Sequence, residues 1–225
     1  MPSVEPGLRR RPVNTPPEEL GSWLQAWRQS WQLLGVEASV PELTAVLASW
    51  SEPHRHYHDQ QHLRECLDRW AAWKHLAQRP GEVALALWYH DAVYAPKDSD
   101  NEVRSAVWAV RAMTKAGLDA DISQRVHELI MATCHDGAAL TRDAELVVDI
   151  DLATLGADPE RFEAYDRNVR KEHAWVPFFL YRRKRRVVLQ AFLDRPRIYA
   201  TDVAHAALET NARLNLSSAL ERLTQ

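Results

Sequence analysis

Seven glycines in 225 residues leave this chain few of the tight turns and bulges on which a sheet depends. That is about half the usual share of ~7%. Ala, Leu, Glu and Arg, all strong helix formers, are abundant instead, so the composition points to an all-α fold. Hydrophobic residues make up 46% of the chain, enough for a core and too many for intrinsic disorder. The length suits one domain. No apolar run approaches the ~18 residues of a membrane span. The net charge of −3 argues against a nucleic-acid-coating protein. Cys66 and Cys134 form no C-x-x-C pair and read as small buried apolar residues in a reducing compartment. With no apolar leader in Met1–Pro17, the expectation is a cytoplasmic protein without a membrane partner.

Helix signals follow one another along the chain. Residues 1–17 read as a flexible arm, in which Arg9, Arg10 and Arg11 are solvated, and residues 18–225 as one helical bundle. Thr15-Pro16-Pro17-Glu18 and Ser39-Val40-Pro41-Glu42 are capping-box starts, as is Ser99-Asp100-Asn101-Glu102. Trp23, Trp27 and Trp31 recur every fourth residue, the stripe of an amphipathic helix that faces a core. A third helix is expected from Tyr57 to Leu76, with Leu63, Cys66, Leu67 and Trp70 inward. A fourth, Glu82 to Asp91, is almost wholly apolar and so central. After a loop at 92–98, the capping-box helix closes at Gly117, and Asp121 caps a helix running to Cys134. Leu146 to Asp151 has strand-like composition but no partner strand, so it reads as buried helix. Asp158-Pro159, Phe178 and Thr201 open the last three helices.

The chain has no phosphate-cradling glycine loop, no G-x-S-x-G and no H-E-x-x-H. Its informative feature is where the ten histidines fall. One helical turn apart, His58 and His62 stand about 40° apart on a helical wheel, on the side of Cys66. Two inward imidazoles make half a metal site or two satisfied core histidines. His90-Asp91 ends the apolar helix, where a carboxylate meets both desolvation and the unfavourable end of the helix dipole. Asp151, between Ile150 and Leu152, poses the same problem. A cation among these groups would compensate both carboxylates.

This order, His…His-Asp…Asp, resembles the HD superfamily of metal-dependent phosphohydrolases. The resemblance extends through Tyr57-His58 and His62-Leu63, Trp88 to Tyr94, Asp100-Asn101-Glu102 with Ser105-Ala106, Thr133 with His135, Asp151 to Gly156, Tyr165, Arg170-Lys171-Glu172 and Asn211 to Leu216. It covers most of the chain after about residue 50 and is closest to the predicted HD-type phosphohydrolases of bacteria. It implies a helical bundle in which His90 and Asp91 bind one divalent ion and Asp151 is the last ligand. The first ligand is His58, which fits the family's usual place, or His62, which lies deeper in the core stripe. Asp91 would also orient or deprotonate the nucleophilic water, and His135 matches a further site histidine. Imidazole and carboxylate donors suit Mn, Fe, Co, Ni or Zn better than Mg.

For the substrate, Arg170 and Lys171 match the family pattern, and one or two of the five basic residues Arg182 to Arg186, Arg182 foremost, can face a phosphate. Asn101 and Glu102 are candidates for groups near the site, although Glu102 also completes a capping box. The expected activity is hydrolysis of a nucleotide or other small phosphate ester through a metal-activated water. The alternative is a catalytically silent nucleotide- or metal-binding regulatory protein. Homo-oligomerisation is left open.

Overall fold

The computed structural model of the chain describes residues 17–134 and 141–224. Among the described residues the chain is all-helical, with no strand. The α-helices are α1 (Pro17–Gln32), α2 (Val40–Ser49), α3 (Gln60–Trp73), α4 (Pro80–Tyr89), α5 (Asn101–Lys115), α6 (Ala120–Met131), α7 (Arg142–Asp151), α8 (Pro159–Glu172), α9 (Phe178–Leu193) and α10 (Asp202–Arg222). None among the described residues is long and apolar enough to cross a membrane.

The apolar run Val83 to Tyr89 makes α4 the central helix, buried on all sides. It packs against α1, α3, α5, α6 and α7. The tryptophan stripe of α1 meets it as its spacing requires: the Trp23 and Trp27 rings lie 5.6 and 5.0 Å from that of Trp88. Several of the polar atoms around it are paired. Trp88 Nε1 donates to Ser30 Oγ, Trp50 Nε1 donates to the Trp88 carbonyl, and Glu82 is bridged by Arg125. The strand-like segment at 146–151 is buried helix, as its isolation requires.

Several helix starts differ from the sequence expectation. The third helix begins at Gln60, not at Tyr57, because Asp59 takes the N-cap and accepts the backbone N–H groups of Gln61 and His62. Residues 74–76 continue it only as a 3-10 turn. In α5 the N-cap position falls on Asp100 rather than Ser99, and in α6 on Asp119 rather than Asp121, neither with a side-chain capping bond. Ser39 caps α2 as expected, but the Glu42 carboxylate accepts from Trp108 Nε1 and Tyr89 OH. Gly117, at φ +82°, ends α5 in the left-handed region. α1 already includes Pro17; Thr15, Pro16 and the arginines at 9–11 lie outside the described residues.

Candidate metal centre

Three helices deliver the candidate ligands to one place: α3 carries His62, the C-terminal end of α4 carries His90 and then Asp91, and the last residue of α7 is Asp151. His62 Nε2 lies 3.3 Å from His90 Nε2 and 3.2 Å from Asp151 Oδ1. His90 Nε2 is also 3.5 Å from that oxygen and 3.3 Å from Asp91 Oδ2. Both imidazoles are buried, while the two aspartates keep a sliver of exposure. Trp50 and Tyr57 wall the cluster with aromatic rings.

The tautomer of His90 follows from its surroundings. Nδ1 is 2.8 Å from the Leu87 carbonyl, which can only accept, so Nδ1–H donates and Nε2 points into the cluster. Two imidazole nitrogens and two carboxylates thus converge with few protons to share. Burial pulls the His90 pKa down, but Asp91 and Asp151 outweigh it and raise it to about 9. Without an ion, a proton is the cation that the cluster takes.

A metal ion fits this donor set. Ligands about 2.0–2.1 Å from a tetrahedral ion stand roughly 3.3–3.4 Å from one another, close to the spacings of the His62, His90 and Asp151 atoms. Cys66 belongs to the same buried group, in which one ligand atom from each of His62, Cys66, His90 and Asp151 lies within 4.8 Å of the others. The cluster can hold a metal ion. The Cys66 sulfur stands 3.8 Å from both ring nitrogens of His62, so it rests against the ring and not in line with either lone pair. Burial, with Asp151 and Asp91 nearby, pushes its pKa up and keeps it a thiol.

His58 is not in that group. It precedes the N-cap of α3, so it does not share the helical wheel with His62, and its ring centroid lies 6.1 Å from the His62 ring. Its Nδ1 pairs with Glu172 Oε2 at 2.8 Å, and its ring stacks on Tyr94 at 4.2 Å. Glu172, fully buried at the end of α8, also accepts Tyr94 OH on Oε2 and the backbone N–H groups of His56, Tyr57 and His58 on Oε1. Burial raises its pKa, but His58 and these N–H groups overcome that and hold it well below the carboxylate range. Burial likewise lowers the His58 pKa, and Glu172 with Asp91 raises it on balance. The result is a buried carboxylate fixing an imidazole that keeps about a fifth of its surface exposed.

Arg55 ties this loop to the end of α4. Its guanidinium donates to the carbonyls of Asp91, Ala92 and His58 at 2.8, 3.1 and 2.9 Å. Positive charge therefore stands beside Asp91 from both Arg55 and His90.

The other sequence candidates have structural employment. Asn101 Oδ1 accepts the Ala95 N–H and Nδ2 donates to the Ala95 carbonyl, pinning the 92–98 loop. Glu102 is half-buried in the first turn of α5. Arg170 donates to the carbonyls of His173 and Val176, and Lys171 to Asn168 Oδ1. Arg182 donates to the Leu223 carbonyl at the end of α10, and Arg185 is buried against Asp166. Asp149, two residues before Asp151, points about 200° away on the helix and accepts from Ala200, Thr201 N–H and the Thr201 hydroxyl. His135 lies outside the described residues.

Arg55 was not singled out from the sequence, and Glu172 and Tyr94 entered only within the resemblance, with no role assigned to either. Cys66 carried a signal, four residues after His62, but was read as core packing alone. Compared with known proteins, the chain matches no family model, no curated protein and no solved structure.

Proposed function

We propose that this chain is a metal-dependent phosphohydrolase of the HD type, acting on a nucleotide or another small phosphate ester. The observation that carries the reading is the convergence of His62, His90 and Asp151, with the Asp91 carboxylate against His90, in the chain order His…His-Asp…Asp. On this reading His62, with Cys66 against its ring, is the first ligand, and His58 is not. A divalent ion held there would supply Lewis acidity toward a phosphoryl oxygen and a lowered pKa for a water.

The chain's own residues divide the remaining work. His90 and His62 present ring nitrogens, and the Leu87 carbonyl keeps His90 in the ligating tautomer. Asp91 accepts a proton from the water that attacks, since its carboxylate is at the cluster and partly open. His58, fixed by Glu172 and partly exposed, faces the substrate's phosphate side as a hydrogen-bond donor. Trp50 and Tyr57 keep bulk water from the ligands. Imidazole with carboxylate favours Mn, Fe, Co, Ni or Zn over Mg. The reading places the protein in a reducing cytoplasm, where the buried Cys66 stays a thiol.

The test is elemental analysis of the purified protein, followed by a phosphatase and nucleotidase panel with Mn, Co and Mg. Stoichiometric metal with turnover supports the reading. Metal without turnover on any phosphoester leaves the silent binding protein, and no metal removes the hydrolase reading and the metal-binding form of the alternative.

A further inference from the structure

Eight of the nine tryptophans in this chain are buried or half-buried; Trp175 alone is exposed, at 54%. An indole left in water in a protein that buries the others asks for a reason. Its position supplies one. Trp175 sits in the turn between α8 and α9, three residues after Glu172, which holds His58 and Tyr94. Lys97 lies three residues after Tyr94 in the 92–98 loop, and its ammonium stands 5.3 Å from the Trp175 ring. The two segments that frame His58 therefore meet again one step further out, in an indole and a cation.

The backbone that carries that indole is pinned. Arg170 donates to the carbonyls of His173 and Val176, on either side of Trp175. The Ala174 and Val176 N–H groups return to Lys171 and His173. Asn101 fixes the opposite loop through Ala95. A flat aromatic surface with an adjacent positive charge, held on a rigid turn, is a platform for a planar, anionic ligand: indole stacks on any nucleobase and the ammonium pairs with phosphate.

We infer that Trp175 and Lys97 form the outer subsite of the candidate metal centre and bind the base and a phosphate of a mononucleotide. The inference rests on the proposed hydrolase reading for the role of the inner site, and it narrows that reading from small phosphate esters in general to nucleotides. Trp175 and Lys97 are specificity residues here, and the reacting phosphate stays with His58, Asp91 and the metal ligands.

The experiment uses the full chain with Trp175→Ala, Trp175→Phe and Lys97→Ala, all at exposed positions. The first measurement needs no turnover: isothermal titration with adenosine monophosphate, against ribose 5-phosphate as the base-free control, on metal-stripped protein. The wild type should bind the nucleotide only, and Trp175→Ala should bind it roughly 5- to 100-fold more weakly, the range expected for one lost stacking contact. Trp175→Phe should restore most of the affinity. The second measurement is KM for adenosine monophosphate and glycerol phosphate with Mn present. Trp175→Ala should raise the first and leave the second and kcat unchanged.

Three results would overturn the inference: no nucleotide binding by the wild type, equal binding of ribose 5-phosphate, or an oligonucleotide bound where the mononucleotide is not. Loss of self-association in Trp175→Ala with unchanged nucleotide affinity would also overturn it, by assigning the indole to a contact between copies. Nucleotide binding that depends on Trp175 without any turnover would instead sink the hydrolase reading and leave the subsite standing.

Discussion

His90 donates its Nδ1–H to the carbonyl of Leu87, one turn earlier on the same helix, and this single 2.8 Å bond decides what the other ring nitrogen can do. Nε2 is left facing His62 Nε2 at 3.3 Å, two atoms that repel unless a proton or a metal ion lies between them. Burial makes that choice obligatory, since neither ring has water to turn to.

Removing one ligand should therefore empty the site. His90→Ala and Asp151→Ala each delete a donor from the convergent set. Both variants should lose stoichiometric binding of Mn or Zn, by at least 10-fold in affinity. Isothermal titration on chelator-treated protein measures it, and full occupancy in either variant would mean the site lies elsewhere.

The metal-free protein should carry a pH signature. The His90 pKa is raised from 6.5 to about 9, mainly by Asp91 and Asp151 against the cost of burial. A group whose pKa is higher folded than unfolded stabilises the fold fully below the unfolded value. That stabilisation is lost as pH rises through the folded one. The melting temperature of metal-stripped protein should fall between pH 7 and 10, while the metal-loaded protein should be flatter there. Metal affinity should rise over the same range as the competing proton leaves. A pH-independent melting temperature for the stripped protein would contradict the charged state assigned to His90.

The fold was legible because its signals are local. Val83 to Tyr89 is apolar at every position, and Trp23, Trp27 and Trp31 repeat at the helical period, so burial and packing followed. The site was legible only where a charge stood in apolar surroundings, as at His90-Asp91 and Asp151. The choice between His58 and His62 turned on one capping bond: with Asp59 as N-cap, His58 falls outside the helix and onto Glu172. Glu172 stood in the resemblance beside Arg170 and Lys171, but its role was not legible, because its partners lie 114 to 116 residues away in sequence. Arg170 and Arg182 matched phosphate-binding expectations by type, but each is spent on backbone carbonyls at a helix end or turn.

Gly156 marks a contact of the scaffold behind the site. An added Cβ there would stand 2.6 Å from both the Leu208 carbonyl oxygen and its Cβ. Backbone cannot yield as a side-chain tip can, so α10 would have to move off the turn that follows Asp151. Gly156→Ala should cost roughly 1–3 kcal/mol in urea denaturation. An unchanged midpoint would show that the two segments have slack.

Glu172→Gln tests the buried carboxylate. The amide keeps one oxygen for the three backbone N–H groups, but its NH2 faces His58 Nδ1–H and Tyr94 OH, replacing acceptor with donor. The ion pair with His58 disappears inside the protein. The cost should be on the order of 3 kcal/mol at neutral pH. The folded pKa of Glu172 lies below its unfolded value of 4.5, so this stability is present above pH 4.5 and fades as pH falls below it. Wild type and variant should converge in acid. A gap that persists unchanged to low pH would assign the loss to packing.

Asp91→Asn separates a catalytic carboxylate from a structural one. Read from sequence, this charge is an unpaired burden at a helix C-terminus, and neutralising it should leave the metal-free protein unharmed or stabilised. The structure reverses that expectation. Asp91 Oδ2 is 3.3 Å from His90 Nε2, so the carboxylate is already paired, and the Arg55 guanidinium on the Asp91 carbonyl adds positive charge nearby. Asn would leave an imidazolium with one carboxylate fewer, and its NH2 can turn toward that nitrogen only as a second donor. The metal-free variant should be less stable at pH 7 by roughly 1–3 kcal/mol, the range for losing a charged hydrogen bond, with its partial exposure keeping it from the upper end. On the proposed hydrolase reading, turnover on a phosphoester should fall by orders of magnitude, because an amide neither takes a proton from water nor draws a cation as a carboxylate does. The stabilisation gained on adding Mn should shrink with the loss of affinity. Melting temperature with and without Mn, paired with turnover, reads all three. A variant that melts early but keeps its kcat would make Asp91 a partner of His90 and nothing more.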